Sequence, residues 1–199
     1  ASKHAAERGV RNVEFVKGDA TCMKFAAGSF DGVISVMAMH HMPTEQHLRL
    51  VFTEIARVLA PGGGLFMVDF GRLKSPFSML TIAYEKEKKQ AFLLTQDYER
   101  SLRAAFRLED YQQLTAAYLP ADVRVVSTYK VPILLLVKSP DRPVPAALVQ
   151  RLRDMVERLP AAQRRDLDDL RMVLKLGGLE NDPFGTTSRL PLTAYRQMA

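Results

Sequence analysis

"FDGVISVMAMHHMPTEQHLRLVFTEIARVLAPGGGLFMVDF", residues 30–70, reads as a strand, a helix and a second strand joined by short connections. Residues 31–36 (DGVISV) are apolar enough for a strand buried on both faces. Pro43-Thr44 opens a helix with Thr44 as its N-cap. Leu48, Val51, Phe52, Ile55, Val58 and Leu59 then recur at 3.6-residue spacing, one stripe to lay on a sheet. Pro61-Gly62-Gly63-Gly64 ends the helix, and Leu65 to Phe70 forms the next strand. The unit is βαβ, which requires parallel strands and a right-handed crossover.

Outward from this unit, residues 13–17 (VEFVK) predict another strand, and Ala1 to Arg8 read as the last turns of a helix stopped by Gly9. A domain rarely opens on the tail of a helix, so an N-terminal part is expected to be missing. Downstream, Ser75-Pro76 caps a first helix, and residues 76–94, 97–106 and 109–118 predict three helices rich in Phe, Tyr, Leu and Met. Residues 123–130 and 133–138 predict two strands joined tightly at Val131-Pro132, a hairpin. Two more helices follow, with stripes at Leu148, Leu152, Met155 and Leu159 and at Leu167, Leu170, Val173 and Leu174. From Asn181 onward periodicity fades into an extended tail.

Composition narrows the partners. The net charge of +6 is spread: residues 1–71 hold seven basic and seven acidic side chains, and residues 72–138 hold eleven and seven. The densest basic group, Lys86, Lys88 and Lys89, alternates with Glu85 and Glu87, a solvated helix face rather than a nucleic-acid footprint. No apolar run approaches the ~20 residues that span a bilayer, and no signal-peptide pattern is present. With Cys22 as the single cysteine, no internal disulfide can form, and a cytoplasmic setting is expected.

The chemistry-bearing residues cluster at strand ends. In an open parallel sheet, ligands bind outside the carboxyl ends of the strands. Three such ends are visible: Gly18-Asp19-Ala20, Met37 to His41, and Asp69-Phe70-Gly71. Gly18 permits close backbone approach. The Asp19 carboxylate beside the Ala20 N–H suits the donor and acceptor edge of an adenine, with Met23 or Phe25 over the ring. The same Asp19 equally suits a local turn cap.

"NVEFVKGDA" (12–20), "FDGVISVMAMHHM" (30–42) and "EIARVLAPGGGLFMVDF" (54–70), in that order and spacing, resemble the second half of a class I S-adenosylmethionine-dependent methyltransferase of the small-molecule type. The resemblance implies an α/β fold: a Rossmann-like methyltransferase sheet, incomplete because its first two strands are absent, with a helical lid insertion, a C-terminal β-hairpin and an α-helical tail. It divides the chain into a partial cofactor-binding core (1–71), a lid (72–120), a hairpin completing the sheet (121–139) and an extension (140–199). In the family's sheet order, 3-2-1-4-5-7-6, the glycine-rich loop follows the first strand and the ribose-binding acid ends the second. Neither has a counterpart here.

The resemblance implies S-adenosylmethionine as cofactor, with Gly18, Asp19 and Ala20 at the adenine and Val36, Met37 and Ala38 along the methionine portion. It places His41 at the mouth shared by cofactor and substrate. A proton-bearing nucleophile needs a base, and His41, His40 and Asp69 are the candidates. Adjacent strand residues alternate sides, so one histidine is expected to face the site. A metal site from His40, His41 and His47 is disfavoured because adjacent ligands diverge and no carboxylate sits at a useful offset. Cys22 lacks a basic neighbour to activate it. The partner is expected to be a small-molecule methyl acceptor, apolar or aromatic if Phe77, Met79, Tyr84, Phe92, Tyr98, Phe106 and Tyr111 wall a pocket; their helical spacing fits plain core packing as well. Neither nucleic acid nor membrane is an expected partner. The alternative is a non-catalytic interaction module with a vestigial cofactor site.

Overall fold

In a computed structural model that describes residues 1–84 and 91–179, the βαβ unit is the centre of the molecule. Strand β1 (Phe30–Val36) runs parallel to β2 (Leu59–Phe70), joined by α2 (Glu45–Val58). A short helix, α1 (Ser2–Glu7), precedes them and ends at Gly9, whose φ of +66° is the left-handed stop its sequence predicts. The Thr44 side chain accepts the His47 N–H and caps α2. Leu48, Val51, Phe52, Ile55 and Val58 are all buried, and the first four form the main core with Leu65 and Met67 of β2.

The lid region forms three helices, α3 (Pro76–Tyr84), α4 (Phe92–Ala104) and α5 (Leu108–Tyr118). The helix expected over 76–94 is therefore α3, residues outside the described set, and the start of α4. The sheet then continues with β3 (Arg124–Ser127) and β4 (Leu134–Lys138), an antiparallel hairpin, and β4 pairs antiparallel with β2. The sheet order is β1-β2-β4-β3. That is the 4-5-7-6 half of the order the resemblance implies. Helices α6 (Ala146–Glu157) and α7 (Ala161–Leu176) follow. The lysine-rich group at 86–89 and the tail from Asn181 lie outside the described residues.

Two expectations fail for one physical reason. Residues 13–17 form no strand; Val13, Phe15 and Val16 are exposed and pair with nothing in the sheet. A strand is stable only when a neighbour takes up its backbone hydrogen bonds. Nor is β1 buried on both faces: Ile34 is 76% exposed and Val36 58%. Core residues Leu65, Met67 and Asp69 of β2 point to the α2 side of the sheet. The opposite face is covered by Leu174 of α7 over Val126, Leu136 and Val68, and this cover does not reach Ile34, Val36 and Phe66.

Candidate functional site

The carboxyl ends of β1 and β2 meet at Asp69. Its side chain is 1% exposed and is saturated with hydrogen bonds. One carboxylate oxygen accepts the N–H of Ala38 at 2.9 Å and of Met39 at 2.5 Å; the other accepts from His40 Nδ1 at 2.6 Å and from the Phe70 N–H at 2.7 Å. A carboxylate only accepts, so His40 carries its proton on Nδ1. Charge-assisted bonds of this kind are the strong ones.

This arrangement requires a sharp turn after β1. Met37 supplies it with φ of +50°, while its N–H donates to the Val68 carbonyl. A left-handed conformation is costly for a residue with a side chain. Here it aims two successive N–H groups at one carboxylate. Met39–His41 then form a 3-10 turn rather than a strand continuation. The expected alternation of the two histidines therefore arises from the turn. His40 is buried against Asp69 and Phe70, while His41 is exposed, its ring 4.1 Å from that of His40. Helix α4 of the lid packs over this turn.

The Gly18–Ala20 turn is held to the same region. Ala20 and Met23 pack on the core cluster that contains Met39, alongside Ala38 and Met42. One Asp19 carboxylate oxygen accepts from the Thr21 N–H at 2.8 Å and the Thr21 hydroxyl at 2.7 Å. The Thr21 N–H, then its hydroxyl, hold the Asp19 carboxyl below its usual range, with a smaller contribution from His47. The turn-capping use of Asp19 is real, and it engages one oxygen only. Met23 is committed to the core, and Phe25 stands edge-on to Phe30 at 4.9 Å. Val36 is exposed, and the N–H of Ala38 is taken by Asp69.

A staple that the sequence reading missed fixes this loop. Glu54 of α2 accepts the Met23 N–H at 2.6 Å and binds Arg57, whose guanidinium donates to the Phe25 and Met23 carbonyls. The spacing Glu54-x-x-Arg57 on one helix was the available signal. Arg57 first, then the Met23 N–H, depress the Glu54 carboxyl to about 2. Its folded pKa lies below the unfolded one, so the unfolded chain binds more protons between them and stability rises with pH there. The staple's contribution is complete above about 4.5 and is lost as pH falls toward about 2. Denaturant midpoints measured across that interval should decline with acid, and Glu54→Gln should flatten the decline.

Tyr111 of α5 was open to two readings, a pocket wall or plain core packing. It lies in the core against Phe52, and burial, with Asp69 and Asp110 adding, pushes its phenol well above the usual range. Its hydroxyl has no hydrogen-bond partner among the described residues. Met79 and Phe106 are buried too, the Tyr98 ring lies tilted 5.4 Å from that of Phe70, and Tyr84 donates to Glu99 across the α3–α4 pair. Phe77 and Phe92 face solvent. Among the described residues, no group of three His, Cys, Asp or Glu side chains is placed to hold a metal ion, and no helix is long and apolar enough to cross a membrane.

Residues 1–63 match a family profile described as a methyltransferase domain. Over this stretch, under a third of its length, the chain is similar to part of a methyltransferase domain. Over 64 residues it is 45% identical to sterol 24-C-methyltransferase ERG6A of Gibberella zeae, covering 32% of this chain and 16% of that protein. It is 41% identical over 64 residues to 27-O-demethylrifamycin SV methyltransferase of Amycolatopsis mediterranei, covering 32% and 22%. The solved structure of YcgJ from Bacillus subtilis aligns with a TM-score of 0.46 at 20% identity, covering 83% of this chain and 65% of that one. The chain spans 16% to 26% of the length of the first curated relatives it matches. The methyltransferase match includes Asp19 and His40–His41; Asp69 lies beyond it.

Proposed function

We propose that this methyltransferase segment belongs to an enzyme that transfers a methyl group from S-adenosylmethionine to a small-molecule acceptor by in-line displacement. The observation that carries the reading is the rim: the turn after β1 is locked onto Asp69 at the end of β2, beside the Asp19-Ala20 turn. The residues present suit the adenine end of the cofactor. One Asp19 oxygen receives no hydrogen bond from the described residues, and the adjacent Ala20 N–H completes an acceptor and donor pair. Met37 and the backbone around it would border the methionine portion.

When bound, the sulfonium supplies an activated methyl and a good leaving group. The protein's part is then orientation, which contributes up to roughly 7–11 kcal/mol, and removal of a proton from the acceptor. His41 is the proton acceptor in this reading, being exposed at the mouth. The His40–Asp69 pair is its positioning device, because it fixes the turn that carries His41. Sterol and rifamycin acceptors named for the relatives support a small organic acceptor. A second reading, an interaction module, draws support from the apolar surface at Ile34, Val36 and Phe66.

Calorimetric titration with S-adenosylhomocysteine separates the two. Saturable binding is expected, weakened about tenfold in Asp19→Asn, since one charge-assisted hydrogen bond contributes roughly 1.5–3 kcal/mol. A folded chain that takes up no S-adenosylhomocysteine would favour the interaction module.

A further inference from the structure

A cavity of about 790 Å³ opens beside the rim, on the lid side of β2. It is lined by Arg72, Lys74, Arg103, Arg107 and Lys130, with Glu109 as the sole acidic group among its lining residues. Three of these cations have contacts of their own, Lys130 with its Nζ 5.7 Å from the centre of the Tyr129 ring. Arg72 donates to the Ala105 and Arg103 carbonyls, and Arg103 pairs with Glu99. Lys74, Arg107 and Lys130 are exposed and form no salt bridge with any described residue. Lys130 is held at φ of +60°, in the short link between β3 and β4. The other walls are mixed: Ser75, Ser127 and Thr128 are polar, and Leu73, Met79, Leu102, Leu108 and Pro132 are apolar, with Met79 and Leu102 themselves buried. Such a cavity concentrates positive potential beside an apolar patch.

We infer that this cavity binds a small amphiphilic anion, its carboxylate or phosphate head among Lys74, Arg107 and Lys130 and its hydrocarbon part against the half-buried Leu73, Leu108 and Pro132. The N-terminus of α3, at Ser75-Pro76, borders the same space and adds positive potential to the lysines. The cavity also adjoins the candidate site. Phe70 packs in the same cluster as Met79 and Leu102, and its ring lies 5.3 Å from that of His40. That the bound anion is the methyl acceptor rests on the methyltransferase reading; that the cavity binds an anion does not.

The full chain should be titrated calorimetrically with octanoate, octyl phosphate, octanol and inorganic phosphate. Octanoate or octyl phosphate should bind saturably, and which is tighter identifies the head group. Octanol should bind at least about tenfold more weakly, as should octanoate to a Lys74→Gln/Arg107→Gln/Lys130→Gln variant, a loss of the size expected for a charge-assisted contact. These positions are exposed, so circular dichroism should show an intact fold. Glu109→Gln should tighten octanoate binding, a gain that a damaged fold does not produce. Equal affinity for octanol and octanoate, or an unchanged affinity in the triple variant, would overturn the inference. Inorganic phosphate binding as tightly as octyl phosphate would overturn its amphiphilic part. S-adenosylhomocysteine is titrated in parallel: anion binding without it keeps the cavity assignment and removes only the acceptor role.

Discussion

Replacing Asp69 with alanine should destabilise the chain by roughly 3–5 kcal/mol, the usual cost of removing one partner of a buried pair. The carboxylate accepts the N–H groups of Ala38, Met39 and Phe70 together with His40 Nδ1, in a site 1% exposed. Alanine would leave those donors without an acceptor and without water. Because whole domains are stable by only ~5–15 kcal/mol, much of the chain should be unfolded at moderate urea. Asparagine keeps the shape and one accepting oxygen, so Asp69→Asn should lose less, about 1–3 kcal/mol. Equilibrium urea unfolding of the two variants against the parent gives the comparison. Equal midpoints for parent and Asp69→Ala would mean that the turn after β1 is held by something else.

The second large effect belongs to Gly71. A Cβ there would lie 2.1 Å from the Pro132 carbonyl oxygen and 3.0 Å from Leu135. The near atom is backbone, so no side-chain rotation relieves the overlap. The Gly71 N–H donates to Ile133 at 3.1 Å, and the Arg72 N–H donates to Phe106 at 2.8 Å. Separating these segments would break the junction of β2, the start of β4 and the lid. Gly71→Ala should therefore cost about 1–3 kcal/mol, the range for overpacking. Gly32→Ala is the control, since its Cβ would meet only the Gly64 carbonyl at an ordinary 3.6 Å. Similar urea midpoints for the two variants would contradict the close approach at Gly71.

Where local pattern and tertiary contact agree, the sequence was sufficient. The α2 stripe from Leu48 to Val58, its Thr44 cap and the hairpin at Val131-Pro132 are short-range signals, and each lies where its spacing indicates, while Leu59, read as the last member of the stripe, opens β2 instead. Residues 13–17 carry an equally good strand pattern and form none, because a strand also depends on a neighbour that pattern does not reveal. His40 and His41 differ for a similar reason. Strand alternation predicts that they diverge, but which of them is buried follows from the left-handed Met37 and the 3-10 turn. Asp69 stood out only as a base candidate. Its role as the anchor of the rim depends on contacts about thirty positions away in the chain. The cations of the cavity come from the start of the lid, the start of α5 and the hairpin link, so no sequence window contains them.

The central claim is that a nucleoside-bearing cofactor lies on the rim formed by the Asp19 turn and the turn after β1. Amide chemical-shift mapping of the full chain during titration with S-adenosylhomocysteine tests it most directly. The largest shifts are predicted at Asp19, Ala20 and Met37 to His41, with little change in α6 and α7. Saturable shifts confined to those distant helices, or a folded chain whose rim amides do not move, would contradict it.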